Sequence, residues 1–193
     1  MADAPASPSA APPSAAPGAS LPCARLLTDL AARFLASAPP GTALRLEVEE
    51  DGLLRLSVDV VPAAFAGRNP PAAWPEPGPV GAAPWCVLLA ALEGWRLERR
   101  HAGQRHLAEG TGAVAAPAWT GGVTPMDDAM TLAFRVRRGS VTGDLQSPEV
   151  LYALRELAAR HPSARLGVRL PAGTRDVMRA RAGLDSRPPA ERR

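Results

Sequence analysis

The side chains able to do chemistry are few in this chain. His101, His106 and His161 are its three imidazoles. His101 and His106 stand five apart across an expected strand turn, which is not a metal-ligand spacing, and the two thiols, Cys23 and Cys86, lie far from them. Ser140 and Ser147 have neither a neighbouring histidine nor the small-residue frame of a nucleophile elbow. The glycine pairs at 110–112 and 120–122 read as turns, because no strand–turn–helix context surrounds them. Two basic runs stand out, "RLERRH" at 96–101 and "FRVRRG" at 134–139. Each reads first as a solvated strand face and second as a phosphate-contacting patch. No aromatic residue is interleaved with them in a way that points to base stacking.

Composition sets the frame for these residues. The 193 residues carry 22 basic and 19 acidic side chains, a formal charge of +3. Every basic residue is arginine; lysine and isoleucine are absent, and Asn69 is the one asparagine. Such usage reads as GC-rich coding, so arginine, alanine and proline are not by themselves functional signals. Hydrophobic residues make up 46% and aromatic ones 4%, enough for one core built mainly from Leu, Val and Ala. Two distant cysteines form no disulfide framework, so a reduced, cytoplasmic protein is the expectation. No basic-then-apolar leader is expected at the N-terminus and no apolar run reaches a membrane span.

The elements that must position the side chains follow from periodicity. Residues 1–20 are Ala/Pro/Ser-rich and are expected to be a disordered tail. The domain is placed at 21–173, and 174–193 form an Arg-rich tail. Leu26, Leu27, Leu30, Phe34 and Leu35 recur at helical spacing, Pro22 suits the first turn, and "PPG" at 39–41 is the expected stop. Alternation over 44–58 about "EEDG" at 49–52 predicts a hairpin. The proline-rich stretch 62–82 is expected to be a helix-free loop. A buried helix is predicted at 84–94, strands near 95–101 and 104–109, and a strand at 129–137 after a Gly/Ala/Pro-rich crossing. Ser147, Pro148 and Glu149 open a helix through 160, and a strand returns after it. The order predicts an α+β fold, a two-layer sandwich with helices on one face of a mixed sheet.

Three stretches, "ALRLEVEEDGLLRLSV", "VLLAALEGWRLERRHAGQRHLAEG" and "AMTLAFRVRRGSVTGDLQSPEVLYALRELAARHPSARLGVRL", carry a resemblance. Together they resemble the ATP-binding domain of the gyrase B subunit and its type II topoisomerase relatives, over roughly 24–170. That family shares its fold with the Hsp90 and histidine-kinase ATPases (the GHKL, or Bergerat, fold). The resemblance implies a helix Glu that activates water and an Asn that holds Mg²⁺. Neither type occurs between Leu21 and Leu46. Leu27 and Ala31 fall near those positions, and a small slip puts Asp29 at the metal position. Asp59 stands where the family's adenine-reading Asp stands, in "DVVPAAF", without the accompanying glycines. In "PGPVGAAPWC", Gly78 and Gly81 match the phosphate lid, while Pro79 and Pro84 lack the amides a cradle needs. Met130 takes the place of a strand Thr, with Thr131 beside it.

The expectation is a degenerate gyrase-B-like domain that does not hydrolyse ATP and acts as a protein-binding module. Its partner is a second protein or a second copy, with DNA contact indirect at most and no membrane. The rival reading is a nucleotide-binding, topoisomerase-related domain that keeps ATP and Mg²⁺ in an altered pocket.

Overall fold

A computed structural model describes residues 20–66, 81–116, 119–122, 127–145 and 147–169. The expected tails, Gly78 and most of the proline-rich loop lie outside the described residues.

The chain starts with a two-residue strand, β1 (Leu21–Pro22), and a helix, α1 (Cys23–Leu35). Pro22 occupies the position just before the helix rather than its first turn, and no side chain caps it. The helix ends at Leu35, four residues ahead of Pro39. A hairpin follows, β2 (Ala43–Val48) and β3 (Leu54–Val58), paired as the alternation requires, with Leu46 opposite Leu56. Gly52 closes its turn at φ +79°, a conformation that suits a residue without Cβ.

The stretch expected to be free of helix begins with one helical turn, α2 (Ala63–Ala66). "AAFA" contains no proline, and the proline at 62 precedes the turn, where its fixed φ is tolerated. The next helix, α3 (Trp85–Ala90), is shorter than predicted. The chain extends at Leu92 into β4 (Leu92–His101), because a ladder with a later strand captures it across an irregularity between Leu92 and Gly94. Then come β5 (Gln104–Thr111), β6 (Val114–Ala115), β7 (Trp119–Gly122), β8 (Ala129–Val136) and β9 (Val141–Thr142). The small strands β6 and β7 fall in the stretch read from sequence as a plain crossing. Helix α4 (Pro148–Arg160) opens as predicted, with Ser147 Oγ accepting the Val150 amide at 3.4 Å, and β10 (Arg165–Arg169) follows.

The fold is mixed α/β with few helices and one large mixed sheet. Its strand order is β10-β2-β3-β8-β4-β5, with β6 and β7 both on the far edge of β5. β10 runs parallel to β2, and the other pairs are antiparallel. Separately, β1 and β9 form a small parallel pair.

Alternation sorts the sheet into two faces. Leu44, Leu46, Leu54, Leu56, Leu132 and Phe134 are buried on one face. They share a core with Leu26, Leu30 and Phe34 of α1 and with Val150, Leu154 and Leu157 of α4. The other face carries Arg45, Arg55, Thr131, Ala133 and Arg96, exposed or half-buried, so the helices cover a single side. No helix among the described residues is long and apolar enough to cross a membrane.

Candidate functional site

Helix α1 buries eight of its thirteen residues, yet it carries three charged residues at four-residue spacing: Arg25, Asp29 and Arg33. That spacing stacks them on one helix face. All three reach the segment just before α3. Asp29 Oδ2 accepts the Ala83 amide at 2.9 Å, and Arg25 Nε lies 3.5 Å from the same oxygen. Arg25 also donates to the Gly81 carbonyl at 3.2 Å. Arg33, 3% exposed, donates to the Ala83 carbonyl at 2.6 Å. Its guanidinium lies 4.8 Å from the centre of the Trp85 ring. Helix and segment are thus held by both backbone groups of Ala83 at once.

Aromatic rings complete the junction. Phe65 of α2 packs 5.8 Å from Phe34 and 6.4 Å, edge-on, from Trp85. Arg99 of β4 is 3% exposed, faces this side of the sheet and donates to the Phe65 carbonyl. Burial lowers its pKa. Two buried guanidiniums therefore fasten the ends of the 67–80 connection, one through Phe65 and one through Ala83.

The residues singled out from sequence do not converge. Asp29 is at the junction, engaged as described. Gly81 is exposed at φ +83°, and its carbonyl is the Arg25 acceptor. Asp59 is exposed at the end of β3, where its Oδ1 accepts the Ala43 amide at 2.8 Å and closes the hairpin ladder. Thr131 lies between the core residues Met130 and Leu132, so alternation turns it to the open face. There it stands opposite Ser57 and Glu98, on the side of the sheet away from α1. Leu27 and Ala31 are buried core residues. At the start of α3, Val87 and Leu88 both donate to the Pro84 carbonyl, at 3.0 and 3.1 Å, as a regular first turn requires.

Arg33 and Arg99 were missed by reading the sequence. Arg99 sits inside a basic run whose strand period turns it inward. Arg33 had a readable signal: it completes a charged row with Arg25 and Asp29 at four-residue spacing.

The open face holds a second feature. A groove of about 980 Å³ runs over β3, β8, β4 and β5. Gly94, Gly110, Thr131 and Ala133 are among the small residues lining it, and Arg55, Arg96, Arg100 and Arg135 stand along it with Glu98 and Glu109. Arg105 and Arg100 both approach Glu98, at 2.7 and 3.7 Å. Arg135 pairs with Asp51 of the hairpin turn. This pairing and the Leu53 amide hold the Asp51 carboxyl below its usual range, the backbone bond being the larger cause.

Among the described residues, no group of three or more His, Cys, Asp or Glu side chains is placed to hold a metal ion. No protein-family model matches the chain, and no curated protein matches it.

Proposed function

We propose that this chain is a gyrase-B-like, GHKL-type ATPase fold that has given up ATP hydrolysis and acts as a protein-binding module. The observation that carries the reading is the engagement of Asp29. In the resembling family the corresponding helix presents an acid and a carboxamide to water and Mg²⁺. Here the one helix carboxylate is bonded to the Ala83 amide and faced by Arg25. A hard cation needs several oxygen ligands in open array. A carboxylate already neutralised by a guanidinium and an amide is a poor one.

Three further points support the reading. Asp59, the adenine-reading candidate, is bonded into the hairpin. Pro84, just ahead of α3, has no amide to offer a phosphate. Asp29 and Thr131 act on opposite sides of the sheet. A fold of this kind outlives its site because core packing and catalysis use different residues. The retained function is then recognition, and neither ATP nor Mg²⁺ is required for it.

Phosphate release from ATP, measured with millimolar Mg²⁺ on the purified chain and on Asp29→Asn, tests the reading. The expectation is background release from both. Turnover by the parent chain that Asp29→Asn abolishes would restore the rival, an ATP-hydrolysing topoisomerase-related domain.

A further inference from the structure

The two basic runs meet in three dimensions. β4 and β8 are neighbours, with Arg96 opposite Ala133 and Gly94 opposite Arg135. Strand alternation divides each run. Arg99 goes to the core with Leu97, while Arg96 and Arg100 go to the open face. Phe134 goes to the core, and Arg135 to the open face.

Other strands add to the same face. Arg45 and Arg55 stand on the central hairpin, Arg105 on β5, and Arg165 and Arg169 at the β10 edge. The carboxylates on this side are Glu47, Glu98 and Glu109 of the strands, with Glu49 and Asp51 of the hairpin turn paired to Arg55 and Arg135. Eight arginines against five carboxylates leave this face a formal excess of three, as large as the whole chain's +3. Positive charge is therefore gathered on the side the helices leave open. Arg45, Arg96 and Arg165 are exposed and make no ion pair among the described residues.

Register gives the patch a direction. Arg169 stands opposite Glu47, Glu47 opposite Arg55, Arg55 opposite Ala133, and Ala133 opposite Arg96. Arg169, Arg55 and Arg96 thus form one row across the strands, each two strands from the next. Two strand spacings are about 10 Å, roughly three residues of an extended peptide. Between Arg55 and Arg96 lies Ala133, small enough for an incoming apolar side chain to seat, and between Arg169 and Arg55 lies Glu47.

We propose that this open sheet face docks an acidic polypeptide segment, lying across the strands with a carboxylate at about every third residue. The inference rests on the protein-binding reading above and names the class of partner. Carboxylates suit guanidiniums, which bond them in a two-pronged manner. Of the pairs already present, Arg55 with Glu49 and Arg135 with Asp51 are exposed, and exposed ion pairs are weak. A nucleic acid fits less well. It brings a charge at every nucleotide, whereas the peptide brings one at about every third residue. The rings nearest the groove, Trp95 and Phe134, are buried in the core rather than offered for stacking.

The test uses the full chain and two fluorescent probes: a twelve-residue peptide with Asp at every third position and Leu or Ala between, and a sixteen-base-pair duplex DNA. The face variant is Arg45→Glu/Arg96→Glu. The control, Arg155→Glu/Arg160→Glu, makes the same charge change on α4. Peptide binding should fall at least tenfold in the face variant and less than twofold in the control. If the face variant fails to fold, Arg45→Gln/Arg96→Gln replaces it, with at least a threefold loss expected. Absence of peptide binding, equal loss in both variants, or duplex binding tighter than peptide binding and lost with the face arginines each overturns the proposal. Phosphate release from ATP is scored separately. Turnover alone removes the degenerate-ATPase reading, whereas failure of the peptide alone removes only this surface.

Discussion

Asp29 accepts the backbone amide of Ala83 at 2.9 Å, across 54 residues of sequence. The bond joins the middle of α1 to the segment before α3. A charged acceptor, 14% exposed, holds one amide and faces one guanidinium there.

Removing that acceptor should loosen the junction. Asp29→Ala leaves the Ala83 amide without its partner, and loss of a charged hydrogen bond costs about 1.5–3 kcal/mol. Urea unfolding should show a loss of unfolding free energy of that size, with a correspondingly lower midpoint. Asp29→Asn keeps a carbonyl acceptor and should lose less than half as much. Equal stability of Asp29→Ala and the parent would remove the clamp.

Arg33 should matter more than its charge suggests. Arg33→Ala deletes the bond to the Ala83 carbonyl and the stacking on Trp85. The loss should be roughly 2–4 kcal/mol, read by thermal unfolding. Blue-shifted tryptophan fluorescence of the parent should move toward the red as Trp85 becomes wetter.

Close approach at β5 predicts a sharp contrast between two glycines. A Cβ on Gly110 would collide with the Val114 carbonyl oxygen and meet the Trp95 ring at 2.6 Å. Both neighbours are fixed, since Trp95 Nε1 donates to the Gly112 carbonyl at 2.8 Å. Gly110→Ala should therefore destabilise by about 1–3 kcal/mol. Gly122→Ala meets nothing within 4 Å and should change stability by less than about 0.5 kcal/mol.

Acid should weaken the open face's turn. The Asp51 carboxyl is held below its usual range by the Leu53 amide and by Arg135. A carboxyl with a lowered folded-state pKa stabilises the fold above its unfolded value, about 3.9, and loses that contribution as pH falls through the folded value. Urea midpoints measured from pH 6 down to pH 2 should fall more steeply in the parent than in Asp51→Asn below about pH 4. Parallel profiles would contradict the pairing.

The two thiols should differ in reactivity. Cys23 is 2% exposed, and burial, with a smaller push from the Asp144 charge, raises its pKa to about 11. Cys86 is exposed on α3. One thiol per chain should react with a chromogenic disulfide at pH 8, and the second only in denaturant. Because the Cys23 pKa is raised on folding, its contribution is intact below about pH 9 and declines as pH rises toward 11.

What the sequence made legible was local. Ser147, Pro148 and Glu149 announce α4 because a cap and a first turn need only their own residues. The 43–58 hairpin was readable because alternation and "EEDG" agree. α3 was read too long because Leu92 and Leu89 keep helical spacing, while the ladder to β8 decides that Leu92 extends. β7 was missed because "WTGG" has weak strand preference and forms only by pairing with Gln104–Leu107. The Asp29–Ala83 bond was not legible, since a polar helix residue gives no sign of which distant backbone group it meets. Thr131 is a nucleotide-binding candidate only through the resemblance, although the inward-facing Met130 and Leu132 already assign it to the open face.

Calorimetric titration of the purified chain with ATP and Mg²⁺, up to several millimolar, tests the central claim most directly. With Asp29 occupied by Ala83 and Arg25, no saturable heat and no stabilisation against thermal unfolding should appear. A one-to-one isotherm that needs Mg²⁺ and disappears in Asp29→Asn would contradict the account.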